Sequence, residues 1–160
     1  MAIPASIERY VTSHGVPFTP IHHHVAFTAQ EEAAAAHVPG RDWAKTVVCL
    51  ADSKPILVIL PAHYQVDTKA LKILAKATWV RLASEHELAG LYPDCDTGAM
   101  APFGELYGQD VYMDESLSTD PEIVFHAGTH ADAIRMRLVD FLNLVHPVRG
   151  HFAEPFHRGQ

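Results

Sequence analysis

The chain has 160 residues, of which 48% are hydrophobic and 19% charged, and a formal net charge of −7. Such a length suits one domain around one core, and the composition excludes a generally disordered chain. The negative balance argues against a protein that coats duplex nucleic acid, DNA included, with a broad basic face, but it leaves room for a small pocket that reads one end of a nucleic acid.

Residues 4–14 have helical spacing, with Ile7, Tyr10 and Val11 on one apolar face and Gly15 as the stop. Residues 18–22 read as a short strand. Thr28 and Glu31 form a capping box, and the alanine-rich stretch behind them runs to His37 before Pro39 and Gly40 end it. Two apolar runs, 46–51 and 55–60, flank Asp52-Ser53-Lys54, which predicts antiparallel neighbours joined by a hairpin turn. Residues 67–77 read as a second helix with Leu71, Leu74 and Ala75 on its apolar side, and residues 78–83 are β-rich. Ser84 and Glu87 make another capping box, opening a short helix to Leu91. Residues 92–108, rich in Gly, Pro and Asp, are the longest irregular stretch. Strands are expected at 111–113, 122–125 and 133–136, and a last helix at 138–145, stopped by Pro147. Residues 147–160 read as a loose tail, polar from His151 onward. Helices and strands mix without regular βαβ alternation, so the expected class is α+β or mixed α/β, as a single domain over 1–160.

Cys49 lies inside an apolar run and reads as a buried thiol. Cys49 and Cys95 are the two cysteines, too few for a disulfide framework or a four-ligand zinc pattern. Residues 1–10 lack the apolar segment of a signal peptide, and the longest apolar run, 56–60, falls far short of the roughly 20 residues a membrane span needs. A soluble cytoplasmic protein with no membrane partner is expected.

The 12 histidines invite a metal reading, through the triple His22-His23-His24 and the pair His126 and His130. Ala-Gly-Thr between the pair breaks a helix, and the members of a triple on a strand point alternately to opposite faces. Neither H-E-x-x-H nor C-x-x-C occurs, so hydrogen-bonded or surface histidine is the plainer role and no bound metal is expected. There is no G-x-S-x-G elbow. Cys95 sits between Asp94 and Asp96, whose charges raise a thiol pKa, so it reads as a structural loop residue and not a nucleophile. No P-loop or G-x-G-x-x-G is present. The run Gly98, Ala99, Met100, Ala101 and Pro102 is a small-residue loop whose ends fix an unusual backbone path. Such a loop can present N–H groups to a ligand oxygen, although taken alone it is an ordinary connection. Lys45 immediately precedes an apolar strand, as a solvated strand end or as a point charge for phosphate at a pocket mouth. Lys69, Lys72 and Lys76 share one helix face, either simply solvated or able to steer one segment of an RNA.

Taken in order, Thr28-Ala-Gln-Glu-Glu-Ala33, Ala44-Lys45-Thr-Val-Val48, the loop from Gly98 to Pro102, Val111-Tyr-Met-Asp114-Glu115-Ser-Leu117 and Phe125-His-Ala-Gly128-Thr-His130 form a combination more specific than any one piece. On these the chain resembles the YbaK/prolyl-tRNA-editing family of trans-acting aminoacyl-tRNA deacylases, over residues 15–146. The resemblance implies a mixed α/β domain with a central, mostly antiparallel sheet and flanking helices. It implies hydrolysis of the ester between a mischarged amino acid and the 3′-terminal adenosine of tRNA, with an aminoacyl-tRNA synthetase as a further partner. It maps Lys45 to the residue that holds the terminal phosphate or ribose region. It maps Gly98, Ala99, Met100, Ala101 and Pro102 to the lining of the reaction centre, and Phe27, Thr28 and His130 to the neighbourhood of the amino-acid pocket. An aminoacyl ester is already activated, so its hydrolysis needs positioning and oxyanion stabilisation more than a strong nucleophile, and no cofactor is expected. A size-limited pocket acts as a second sieve for small amino acids. On this reading, enlarging Ala99 or Ala101 is expected to harm activity more than stability. Two other readings stand beside it: a module of the same fold that binds aminoacyl-tRNA, a nucleotide or a synthetase without turnover, and a histidine-based metal-binding protein.

Overall fold

The computed structural model describes residues 3–22 and 43–156. Its centre is a hairpin of two apolar strands, β2 (Ala44–Ala51) and β3 (Lys54–Pro61), with β1 (Thr19–His22) lying elsewhere. β2 and β3 pair antiparallel from Ala44 opposite Pro61 to Ala51 opposite Lys54. Asp52 and Ser53 between them both have positive φ (50° and 72°), the backbone whose twist matches a two-residue hairpin. The Asp52 carboxylate also accepts N–H bonds from Thr78 and Trp79, bracing the turn against the next strand.

Around this hairpin a five-stranded sheet grows. β5 (Val80–Leu82) joins β2 antiparallel, β6 (Val111–Asp114) joins β3 in parallel, and β9 (Val148–Gly150) joins β6 in parallel, giving the order β5-β2-β3-β6-β9. β7 (Glu122–His126) and β8 (Asp132–Arg137) form an antiparallel sheet with β1, in the order β1-β8-β7. An isolated bridge between Trp43 and Val124 connects the two sheets. A short antiparallel pair links β4 (Tyr64–Val66) to β10 (Ala153–Pro155). Among the described residues the parallel ladders are β3–β6 and β6–β9, so a mixed but mostly antiparallel α/β fold is what the sequence led us to expect.

Strand alternation sorts the core onto the two faces of the larger sheet. On one face Val48, Leu57, Ile59, Val111 and Met113 pack with Ile7 and Val11 of α1 (Ala5–Ser13), with Phe125 and Ile134 of the second sheet, and with Phe141. On the other, Cys49, Ile56, Val58, Leu60 and Tyr112 pack with Leu71 of α2 (Thr68–Ala75) and with Phe152. Helix ends follow local chemistry. Asp67 accepts the N–H groups of Lys69 and Ala70 at the start of α2, and Ser84 and Glu87 form the expected capping box of α3 (Glu85–Leu91). α4 (Leu138–Val145) ends at His146, whose φ of 52° precedes Pro147. The capping box at Thr28 and the stretch to His37 lie outside the described residues.

The expectation of a loose segment from 147 is corrected for residues 148–155. β9 extends the central sheet, Phe152 is buried, and β10 pairs with β4. Among the described residues no helix is long and apolar enough to cross a membrane.

Candidate functional site

The irregular stretch after α3 is held by main-chain bonds to the turn that follows β7. Asp96 N–H donates to the Gly128 carbonyl at 2.8 Å, and Gly128 N–H returns to the Ala99 carbonyl at 2.8 Å. The Asp96 carboxylate accepts the His130 N–H at 3.2 Å, and His130 Nε2 lies 2.8 Å from the Thr97 carbonyl. A carbonyl only accepts, so Nε2 carries the hydrogen and Nδ1 of a neutral ring is left as an acceptor. Gly98 has φ +84°, a path an L side chain resists, and a Cβ there would stand 3.8 Å from His130 Cε1. The structure thus places His130 beside the head of the loop.

Behind Gly98 the loop turns inward. Ala99, Met100, Ala101 and Pro102 are all buried, and Met100 and Ala101 belong to the core that contains Val48 and Ile59. Enlarging Ala99 or Ala101 therefore carries a stability cost beside any effect on activity, since both positions are core packing as well as loop.

The turn that carries His130 is fixed twice. Gly128 has φ +94°, and a Cβ there would meet Pro4 Cγ at 2.5 Å. Asp132, 4% exposed, accepts the Thr129 hydroxyl at 2.6 Å and pairs with His22 Nδ1 at 2.9 Å. Burial alone would raise the Asp132 pKa, but the bonds from Thr129 and His22 outweigh it and the net direction is down. His22 is therefore tied to a carboxylate. His126 packs its ring 5.4 Å from Trp43 and 5.7 Å from His130. Among the described residues no group of three or more His, Cys, Asp or Glu is placed to hold a metal ion.

Lys45 belongs to the other face of β2. Ala44 and Val48 point to the loop-side core, while Val47 and Cys49 point to the α2 side. By alternation Lys45 shares the α2 side, opposite Leu60 in the ladder. Its ammonium lies 4.9 Å from the centre of the Phe156 ring, and partial burial lowers its pKa. The structure brings the loop and His130 together, and sets Lys45 on the reverse of the same strand. The two parts meet through Trp43, which lies two residues before Lys45 and packs on His126.

Asp114, quoted in the sequence motif without a role, positions the chain that reaches Lys45. Its Oδ1 accepts the N–H groups of Phe152 at 2.7 Å and Ala153 at 2.8 Å, and its Oδ2 accepts the N–H of Ser116 at 3.0 Å and the Ser116 hydroxyl. Burial pushes the Asp114 pKa up, but these bonds outweigh it and the net direction is down. A signal for Asp114 exists in the sequence: an aspartate two residues before a serine, at the end of an apolar strand, is a local capping pattern. Phe156 had no such signal. Lys69 and Lys72 are exposed on α2, which covers the Lys45 face through Leu71, while Lys76, expected on the same helix face, is instead the exposed left-handed C-cap with φ 55°. Cys95 has its thiol pKa raised, first by burial and further by Asp94, and Cys49 is pushed up to about 12 by burial, so neither offers a thiolate near neutral pH. Phe27, Thr28, His23 and His24 lie outside the described residues.

A family model described as the aminoacyl-tRNA editing domain matches residues 23–144. A search of the curated proteins finds no match. Among solved structures, a hypothetical protein, APE2540, is similar with a TM-score of 0.83 at 19% identity, over 93% of this chain and 99% of that one. A candidate trans-editing enzyme for prolyl tRNA synthetase gives a TM-score of 0.81 at 20% identity, over 96% and 99%. A candidate signal transduction protein from Marinobacter aquaeolei VT8 gives 0.74 at 14% identity, over 94% of this chain but 31% of that one. At these identities the likeness establishes a shared fold.

Proposed function

Because the chain belongs to the aminoacyl-tRNA editing domain family, we propose that it is a freestanding, cytoplasmic deacylase that removes a small, mischarged amino acid from the 3′-terminal adenosine of tRNA, alongside an aminoacyl-tRNA synthetase. The observation that carries the reading is the frame of bonds joining residues 96–99 to residues 128–130, main chain to main chain at Gly128 and through the Asp96 carboxylate at His130, with Gly98 open to solvent beside His130. A water, or the neighbouring ribose hydroxyl, attacks the ester carbonyl carbon. The bond from that carbon to the ribose oxygen breaks, and the ribose oxygen takes a proton, leaving free amino acid and deacylated tRNA when water is the final acceptor. The chain's part in this is positioning and stabilising developing charge. Ala99 N–H is already bonded to the Asp96 carbonyl, Met100 and Ala101 are buried and Pro102 has no N–H, so the loop amide offered to the oxyanion is that of Gly98. His130 Nδ1 supplies an acceptor for the attacking water or for the amino group of the substrate. Lys45 supplies a point charge for the terminal phosphate from the other side of β2.

The test is release of amino acid from a panel of mischarged tRNAs by the wild type and by Lys45→Ala. Cleavage above the spontaneous rate that falls in Lys45→Ala is expected. No cleavage of any member defeats the reading, and tight binding without turnover assigns the fold to recognition alone. Gripping only the end of an RNA also predicts a shallow dependence of affinity on salt.

A further inference from the structure

The arm that carries β10 is anchored where it passes Asp114 and open where it reaches Lys45. The Asp114 carboxylate holds the N–H groups of Phe152 and Ala153, Phe152 is buried, and Ala153–Pro155 is paired to β4. One residue later, Phe156 is 58% exposed with the Lys45 ammonium against its ring. A large aromatic ring held out by strand-anchored backbone has little conformational freedom left to lose on binding. An aromatic surface beside a cation suits a ligand that is itself aromatic and anionic, and a nucleotide is both. Lys69, Lys72 and Lys76 add exposed cations on the side of the sheet that α2 covers, and several cations on one side suit a nucleic-acid chain better than a free nucleotide.

Resting on the deacylase reading above, we propose that Phe156 is the stacking platform for the base at the 3′ end of the tRNA, with Lys45 on the adjoining phosphate. The ring binds and takes no part in breaking the ester.

Phe156→Ala, Phe156→Tyr and Phe156→Trp test this. In steady-state deacylation of a tRNA that the panel shows to be cleaved, Phe156→Ala raises KM about tenfold, as expected for loss of one base–aromatic stack, while kcat stays within about twofold. Phe156→Tyr and Phe156→Trp stay near the wild type, and the exposed position leaves all three melting temperatures unchanged. In a second measurement, Phe156→Trp is titrated with a tRNA bearing its complete 3′ end and with the same tRNA lacking its last nucleotide. After subtraction of the wild-type signal, the first quenches the added indole at concentrations where the second does not. An unchanged KM in Phe156→Ala, a Tyr or Trp variant as impaired as Ala, or equal quenching by both tRNAs overturns the platform. A wild type that cleaves nothing overturns the deacylase reading instead, and the quenching titration then decides the platform alone.

Discussion

The two faces of the five-stranded sheet are built by opposite means. On the loop face, residues 99–102 are buried, and the backbone is stitched to the Gly128 turn by two main-chain bonds that side-chain substitution leaves in place, with side-chain bonds of Asp96 and His130 beside them. On the lysine face, Lys45 is half-buried, Phe156 is exposed, and the arm that carries Phe156 is held by the Asp114 carboxylate, by its pairing with β4 and by the buried Phe152. The contrast teaches a division of labour. Rigid backbone suits a reacting group that must be placed to a fraction of an ångström, while charge and an open ring suit a ligand end that arrives and leaves.

The strongest way to break this comparison is Asp114→Ala. It strips buried main-chain donors at Phe152 and Ala153 of their acceptor, and a loss of about 3 kcal/mol of stability is expected in chemical denaturation. If the faces are separable, weakened tRNA binding in Asp114→Ala is accompanied by unchanged cleavage of a simple amino-acid ester that lacks both base and phosphate. The same carboxylate sets a pH dependence. Its folded pKa is depressed, so its contribution is complete above the ordinary carboxylate range and is lost as pH falls through the folded value. Asp132 has the same sign, so the wild type loses stability on acidification, and Asp114→Ala flattens part of that acid limb in melts taken at successive pH values.

The loop face is sharpened by comparing two methyl-scale changes. Ala101→Val overfills a core position and is expected to cost about 2 kcal/mol together with activity. Gly98→Ala meets nothing closer than 3.8 Å, so its penalty is the strained φ, about 1 kcal/mol, with the larger effect on kcat. A melting temperature that falls further in Gly98→Ala than in Ala101→Val would contradict the packing described. The smallest effect on stability is expected from Lys45→Met. Burial disfavours the charged ammonium, so removing it leaves the melting temperature at or above that of the wild type while tRNA cleavage is lost. A fall as large as that of Asp114→Ala would mean that Lys45 is a structural residue.

The sequence was most legible where local rules suffice. The β2–β3 hairpin, the capping box of α3 and the span of α4 follow from alternation, turn residues and caps within a few positions. It was least legible where distant packing decides. β9 pairs in parallel with a strand more than thirty positions away, a contact no local pattern announces. Phe152 and Phe156 stand four apart in one short segment with nothing local to mark the first as buried and the second as exposed. Ala99 and Ala101 look like loop residues because they are small, yet smallness is what lets them enter the core. The contact between the loop and His130 joins residues more than thirty positions apart and had no local signal, whereas the placement of Lys45 was already contained in its adjacency to Thr46, since neighbours on a strand face opposite ways.

Gly128 and Pro4 form one further constraint, on how the sequence can change over time. The missing Cβ at 128 leaves the space that the Pro4 ring occupies, one residue before α1 begins. A substitution at 128 presses on that ring and, at 3.2 Å, on Ile7 Cδ1, and it carries the strain of φ +94° as well, so no change at position 4 alone compensates for it. Lineages of this protein are therefore expected to keep glycine at 128, and the start of the first helix is tied to the turn that carries His130 by inheritance as well as by contact.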